Sequence, residues 1–359
     1  MHRQLLHKPD GRELWLYGRG PLGDRLDAPM PKGGGAPGAS HLRWHPSLGE
    51  WIVYAGHRQP RTFLPPPEFD PLAPTTDPAH PTEVPAGSWD VAVFENLFPA
   101  LGRDAPPPTS IVETRAAPGR CEVVVFAQDP RGSLGGLSLD HLELVIEVWA
   151  DRYRELARRD EVAYVLPFEN RGVEVGVTLH HPHGQIYAYP FVPPLAARSI
   201  GRQADHRGRH GAGLLEGLIA RELDDDRRTI HVSDQAVAWV PAWARWAYEI
   251  WIAPRRCAPT LGDLDAAERT ALARALQIAL RKLDGLWQSP MPYVLSIHQA
   301  PTRGAHPYVH AHIEIYPWLR MRGRVKYLAG SEIAAGVFTS DTLPEDKAAE
   351  LRAVEVAHG

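Results

Sequence analysis

The feature that most constrains the fold of this chain is an internal duplication. Residues 181–187 read His-Pro-His-Gly-Gln-Ile-Tyr, and residues 310–316 read His-Ala-His-Ile-Glu-Ile-Tyr. Both contain His-x-His-x-(Gln or Glu)-Ile-Tyr at an offset of 129 residues, and a Tyr-Val-Leu triplet recurs at the same offset, at Tyr164 and Tyr293. A third match, at Leu134 and Leu261, has an offset of 127 residues. The period is too long for a solenoid and predicts two fused copies of one unit.

The pattern of elements around each copy predicts an α+β fold, in which each unit is an antiparallel sheet with packed helices. We predict a peripheral N-terminal arm over residues 1–39, a first unit over 40–197 and a second unit with a tail over 198–359. Apolar residues at helical spacing predict one helix over 139–156 and another over 264–286. A strand over 163–168 is expected to pair antiparallel with the strand that carries the first motif.

The first motif has the residue types for chemistry at phosphorus. Side chains two residues apart in a strand share a face, so His181, His183 and Gln185 point the same way. An imidazole can attack phosphorus, and a neutral amide can hold its oxygens. Asn170, on the neighbouring strand, is expected to reach the same ligand. For a bare His-x-His pair, metal binding or a place in the core is the alternative.

Three histidines of the second unit form a further candidate site. His298, His310 and His312 are expected on two neighbouring strands, which is a suitable set of ligands for a metal ion. The alternative is a satisfied polar cluster that remains from a duplicated active site. No fourth ligand is obvious from the sequence.

Composition excludes several classes of protein. A formal net charge of −4 argues against general binding of nucleic acid. No apolar run is long enough to span a membrane, and the N-terminus has no signal-peptide pattern. The only cysteines, Cys121 and Cys257, exclude a disulfide framework and a cysteine zinc cluster. We therefore expect a cytoplasmic protein without a membrane or nucleic-acid partner.

With these residues in hand, the chain resembles the galactose-1-phosphate uridylyltransferase family of the histidine triad superfamily, from about His41 to the C-terminus. The resemblance implies two histidine-triad-like units and makes His183 the nucleophile, next to His181 in the motif. It implies that Gln185 binds the phosphate oxygens of the covalent intermediate. Further nucleotide-binding positions fall on Arg58, Arg61, Asn96, Asn170 and Thr178. Lys326 and Glu332 match the family's residues for the hexose phosphate.

The implied reaction is a ping-pong transfer. UDP-glucose gives its uridylyl group to the histidine, and galactose 1-phosphate then accepts it. The resemblance also implies a homodimer with sites made from both chains. Because Leu97 stands where the family has an acid near the base, an ADP-sugar phosphorylase or a nucleotide hydrolase is the alternative within the fold. A metal-binding protein that uses the His298 cluster is the alternative from another class.

The resemblance implies two metals, and the chain departs from both sites. The first family zinc site falls on Asp70, Ala73, Pro130 and His181, where alanine and proline donate nothing, so we predict that this zinc is absent. The second site keeps three histidines, but its glutamate position falls near Ser199. We expect no cofactor to be required for the chemistry, and zero to one zinc or iron ion at the His298 cluster.

Overall fold

The computed structural model describes residues 1–23, 26–31, 39–59, 69–102 and 105–356. Its strands are β1 His2–His7, β2 Glu13–Gly18, β3 His41–His45, β4 Glu50–Tyr54, β5 Pro74–Thr75, β6 Val84–Pro85, β7 Val91–Glu95, β8 Thr114–Ala116, β9 Arg120–Val125, β10 Tyr164–Arg171, β11 His183–Tyr189, β12 Thr229–Val232, β13 Ala236–Trp239, β14 Ile250–Pro254, β15 Tyr293–His298, β16 His312–Pro317, β17 Leu319–Met321 and β18 Arg324–Val325. Its helices are α1 Leu139–Ala157, α2 Pro194–His210, α3 Leu214–Asp225, α4 Ala266–Gly285, α5 Gly330–Ala334 and α6 Pro344–Ala353.

One large antiparallel sheet contains both predicted units. Its strand order is β1-β2-β7-β9-β11-β10-β15-β16-β14-β13-β12. β10 and β15 form the central, antiparallel pair. Outwards from this pair, β11, β9, β7 and β2 on one side correspond to β16, β14, β13 and β12 on the other. The α+β fold of two histidine-triad-like units is therefore confirmed, and the units share one continuous sheet.

The topology repeats over five strands of each unit, with β1 as an extra edge strand in the first, but the sequence offset is not constant. His183 and His312 occupy equivalent places on β11 and β16 at the offset of 129 residues. On the neighbouring strands, Phe168 pairs with Gln185 whereas Ser296 pairs with Glu314. The offset between β10 and β15 is therefore one residue shorter than the repeated Tyr-Val-Leu triplet indicates. With this register, the structural counterpart of Asn170 is His298.

The two long helices cover one face of the sheet. Ser138 caps the N-terminus of α1 by accepting a hydrogen bond from the backbone N–H of His141. Asp265 caps α4 in a capping box with Glu268. The apolar side chains of both helices are buried in one cluster with the inward-facing residues of the strands. The opposite face of the sheet, here called the open face, carries the residues of both His-x-His motifs.

The N-terminal segment does not behave as a peripheral arm. β1 and β2 form one end of the large sheet, and β2 pairs with β7. Leu14, Leu16 and Tyr17 are fully buried. Lys8 lies in a buried ion pair with Glu83, at 2.6 Å. β2 therefore belongs to the core of the first unit, which corrects the predicted boundary at residue 39.

Two further observations complete the fold. The charged connector after the first unit forms α2, a helix that was not predicted, and buries only Ala196 and Gln203. No helix in the described ranges is long and apolar enough to cross a membrane.

Candidate active site

The nucleophile proposed from the sequence lies at the start of β11. His183 is half-buried, and its Nδ1 is 2.7 Å from the carbonyl oxygen of His181. A carbonyl oxygen only accepts, so Nδ1 carries the hydrogen and the lone pair of the neutral ring is on Nε2. Burial lowers the pKa of His183 below that of a free histidine. The ring is therefore neutral near pH 7, with Nε2 available to attack.

Two amide side chains lie on the same face as this imidazole. β10 and β11 run antiparallel, as predicted, and Glu169 pairs with Gly184. The next residue, Asn170, is therefore level with His183, and Gln185 follows on the same face. The side chains of Asn170 and Gln185 are half-buried, and neither makes a hydrogen bond to the described residues. Both amides are thus available to hold oxygen atoms of a ligand.

A guanidinium group approaches the same strand from the loop after β4. Arg58 ends a short 3-10 helix, and its Nη1 donates a hydrogen bond to the hydroxyl of Tyr187, at 3.1 Å. The Nε of Arg58 is buried and has no hydrogen-bond partner in the described chain. A cation with an unused donor next to the motif strand suits an anionic group such as a phosphate. Arg61, the second arginine predicted here, lies outside the described residues.

The remaining nucleotide-binding candidates lie in the loops that follow β7 and β10. Asn96 directly follows β7, and its Oδ1 accepts a hydrogen bond from the backbone N–H of Phe98, at 2.8 Å. Its own backbone N–H donates to the carbonyl oxygen of Cys121. Thr178 is half-buried in the loop that joins β10 to β11. Their roles in nucleotide binding stay predictions.

The residues at the first family metal position do not fit a zinc ion. His181 is buried, with Nδ1 2.7 Å from Oδ2 of Asp70 and Nε2 2.8 Å from the carbonyl oxygen of Ala127. Both ring nitrogens are therefore engaged. The other two positions, Ala73 and Pro130, have no donor atom in their side chains. The carboxylate of Asp70 is then the only remaining donor, and one ligand is too few for a zinc site.

The second cluster is only partly assembled. The rings of His298 and His312 stack, with centroids 5.3 Å apart. Nε2 of His312 lies 3.0 Å from Oε1 of Glu314. His310 directs its Nε2 to the carbonyl oxygen of Pro254, at 2.8 Å. Over the described ranges, no three histidine, cysteine or acidic side chains converge as a metal site. The arrangement matches the polar-cluster alternative more closely, and a metal here stays a prediction.

The two candidates for the hexose phosphate lie together in the C-terminal segment. Nζ of Lys326 is 3.8 Å from Oε1 of Glu332 and 2.8 Å from the carbonyl oxygen of Thr339. Glu332 also accepts hydrogen bonds from the backbone N–H groups of Ala329 and Thr339. All of these contacts are within the segment itself, so the structure brings the pair together but does not connect it to His183.

Sequence reasoning missed two residues that contact the motif. Tyr187 was not linked to Arg58, from which its hydroxyl accepts a hydrogen bond. Asp70 was noticed only as the occupant of a metal-ligand position. The signal that could have identified Asp70 is its chemistry, since an acid facing a buried histidine is an ordinary hydrogen-bond partner.

The fold and this site define a protein with two histidine-triad-like units, in which the first unit presents a free imidazole nitrogen beside neutral amides. The N-terminal domain model of galactose-1-phosphate uridyl transferase matches residues 36–193, and the C-terminal domain model matches residues 199–359. The chain belongs to the galactose-1-phosphate uridyl transferase family.

Individual relatives agree with this assignment. A galactose-1-phosphate uridylyltransferase of Thermotoga maritima is 34% identical over 325 residues, which cover 88% of this chain and 98% of the relative. One of Streptomyces lividans is 36% identical, with coverage of 81% and 79%. A solved structure of a uridylyltransferase superposes with a TM-score of 0.79 at 32% identity, covering 88% of this chain and 98% of that chain.

Proposed function

We propose that the protein is a UDP-glucose:hexose-1-phosphate uridylyltransferase of galactose metabolism, which transfers UMP through a covalent uridylyl-histidine. The observation that carries the proposal is the hydrogen bond from Nδ1 of His183 to the carbonyl oxygen of His181, which leaves Nε2 free on the face that also bears Gln185. Membership of the family supports the class of substrates, a UDP-sugar and a sugar phosphate.

Two displacements at phosphorus account for the transfer. Nε2 of His183 attacks the uridylyl phosphorus of UDP-glucose, the N–P bond forms, and the P–O bond to glucose 1-phosphate breaks. The hydrogen stays on Nδ1 throughout and is donated to the carbonyl oxygen of His181. Because the leaving group is a phosphate, it departs without needing a proton. In the second step, a phosphate oxygen of galactose 1-phosphate attacks the same phosphorus and releases His183.

The surrounding side chains bind and stabilise the transferred group. Gln185 and Asn170 offer amide N–H groups to the phosphoryl oxygens without adding charge. The unused Nε of Arg58 offers a charged donor beside them. These donors are held by strands and a short helix, so that little reorganisation is needed when charge develops on the oxygens.

The covalent intermediate can be tested by intact-mass measurement. Mixing the protein with UDP-glucose should add the mass of one UMP and release glucose 1-phosphate, and His183→Ala should do neither. His312→Ala is the matched control, because its Nδ1 makes the same bond to the carbonyl oxygen of His310, at 2.8 Å, in the second unit. The control variant should still be labelled. Labelling of His183→Ala would refute the assignment.

The base of the nucleotide is tested in the same assay. Leu97 follows Asn96 at the position where the family has an acid, and this observation favours ADP-sugars as the alternative substrates. Parallel reactions with UDP-glucose and ADP-glucose compare the rates of adduct formation. Faster labelling by ADP-glucose would replace the proposed substrate, and release of free nucleotide without an acceptor would indicate a hydrolase.

A homodimer is part of the proposal. The hydrogen bonds and the ion pair of Lys326 and Glu332 lie within the C-terminal segment, so a complete site is expected to combine this segment of one chain with the His183 strand of its partner. Mixing inactive His183→Ala with inactive Lys326→Ala should restore part of the activity. A fully active monomer in sedimentation would contradict this arrangement.

For the second cluster we propose at most one zinc or iron ion per chain, with activity largely insensitive to chelators. The buried Nδ1 of His310 has no hydrogen-bond partner in the described chain and is one available ligand atom. Elemental analysis of the wild type and of His298→Ala measures the occupancy. Two tightly held ions per chain would contradict the proposal.

A further inference from the structure

The strand that carries the nucleophile is held by a second buried histidine. His181 has a fully buried side chain, and its ring bridges the loop at Asp70 and the end of β9 at Ala127. The backbone carbonyl of the same residue accepts the Nδ1 hydrogen of His183. Any movement of His181 would therefore change the position and the tautomer of the nucleophile.

Counting donors fixes the hydrogens on this bridging ring. The carbonyl oxygen of Ala127 can only accept, and so can an ionised carboxylate of Asp70. Two contacts of 2.7 and 2.8 Å therefore require an N–H on both ring nitrogens. His181 is then an imidazolium ion, and Asp70 supplies the opposite charge that a buried cation needs.

The second unit provides an internal comparison. His310 repeats the bond of Nε2 to a backbone carbonyl, that of Pro254, and its own carbonyl oxygen accepts Nδ1 of His312. Its Nδ1, however, is buried without a partner in the described part of the chain. The two rings share the bond from Nε2 to a backbone carbonyl and differ at Nδ1, which faces the Asp70 carboxylate only in the unit with the proposed nucleophile.

The loop holds that carboxylate firmly. Oδ1 of Asp70 accepts a hydrogen bond from the backbone N–H of Leu72, at 2.9 Å. Leu72 is 2% exposed and packs with Val84 and Trp89 against the open face of the sheet. Burial alone would raise the pKa of Asp70, but hydrogen bonds from His181 and Leu72 outweigh it and keep the pKa below its usual value. Asp70 is therefore ionised at neutral pH.

We infer that Asp70 is a positioning residue, which fixes a doubly protonated His181 and thereby the nucleophile His183 at the place where family members often use zinc. A metal would brace the motif by binding His181, whereas here a carboxylate and a backbone carbonyl take both ring nitrogens. The catalytic part of this inference rests on the proposed function. The protonation of His181 and the metal content can be measured without it.

The test compares Asp70→Asn with Asp77→Asn. The control Asp77 lies beyond β5 and also pairs with a histidine Nδ1, that of His80 at 2.8 Å, but both side chains of this pair are exposed. ¹⁵N NMR of histidine-labelled protein at neutral pH should show two protonated ring nitrogens for His181 in the wild type and in the control, as its two hydrogen-bond contacts require. Asp70→Asn removes the counter-charge, and its His181 should show only one.

Activity provides a second readout. Since a displacement of about 1 Å at a reacting group can cost about 100-fold in rate, Asp70→Asn should lower kcat by at least about tenfold. KM for UDP-glucose should change by less than about twofold, because the substrate contacts are retained. The control should match the wild type. Elemental analysis should find no zinc bound at His181 in any of the three proteins. Circular dichroism checks that all three are folded.

Three results would overturn the inference. They are a singly protonated His181 in the wild type at neutral pH, a stoichiometric zinc that is lost in His181→Ala, and unchanged kcat in Asp70→Asn. If the wild type is not labelled by UDP-glucose, the proposed function fails, and the NMR and metal measurements still decide the role of Asp70. If the wild type is labelled but Asp70→Asn transfers UMP equally fast, only this inference fails.

Discussion

Replacing Gly184 by alanine should disturb the packing of β11 and the reactivity of His183, the first residue of that strand. A Cβ atom at this position would lie 2.7 Å from Cζ of Phe126 and 3.0 Å from the carbonyl oxygen of Phe168. The first neighbour cannot withdraw easily, because Phe126 is 1% exposed and packs edge-on against Trp149. The second belongs to the backbone of β10. The added methyl group must therefore move β11 away from both.

The size of the effect follows from these contacts. Forcing one extra methyl group into a packed interior costs about 1–3 kcal/mol, and a contact with backbone on one side favours the upper part of this range. His183 directly precedes the altered residue and moves with it. Since a displacement of about 1 Å at a reacting group can cost about 100-fold in rate, a shift of a few tenths of an ångström should lower UMP transfer about tenfold.

Urea unfolding followed by tryptophan fluorescence, together with the rate of UMP transfer, measures both effects. Gly201→Ala is the matched control: it lies inside α2 with no atom within 4 Å of the added Cβ, and should stabilise the protein by about 0.5–1 kcal/mol. Adding Phe126→Leu to Gly184→Ala should recover part of the stability. If Gly184→Ala is as stable and active as the wild type, the close packing behind the motif strand is not real.

Three other perturbations have definite expected outcomes. Lys8→Ala leaves Glu83 buried without its nearest cation, and should cost about 3 kcal/mol in urea unfolding. Burial raises the pKa of Glu169 to about 7 from 4.5, so the folded protein retains a proton that the unfolded chain releases. Stability should therefore fall as the pH rises from 4.5 to about 7, and Glu169→Gln should flatten this part of the profile in thermal unfolding. Arg58→Ala should lower UMP transfer at least about tenfold in a rate assay, since a hydrogen bond to a charged group contributes about 1.5–3 kcal/mol.

Local patterns predicted the long elements well. The apolar spacing of α1 and α4 and the capping residue Asp265 are properties of neighbouring residues, so the sequence alone specifies them. α2 was missed because it buries only Ala196 and Gln203 and has no apolar stripe. The burial of Tyr17 depends on the pairing of β2 with β7, far along the chain, and nothing close in sequence indicates it.

The candidate site was predictable to a similar depth. The motif placed His183 and Gln185 on one face because a strand has a fixed period of two residues. It could not place Asp70, which meets His181 across 111 residues of chain through a loop without regular structure. The one-residue difference in offset between the two strand pairs was also hidden, because only the ladder register defines which residues are equivalent.

A comparison of the two His-x-His motifs shows why the first unit is suited to transfer a phosphoryl group and the second is not. At the place of Gln185, the second unit has Glu314, whose pKa burial would raise but nearby His298, His312 and Arg245 lower to about 2. This carboxylate is negatively charged at neutral pH and would repel a phosphate. Its hydrogen bond also occupies Nε2 of His312, the atom that corresponds to the proposed nucleophile. Exchanging one neutral amide for a carboxylate thus removes the anion site and occupies the second ring nitrogen, so this position, together with the Asp70 contact of His181, distinguishes the two units.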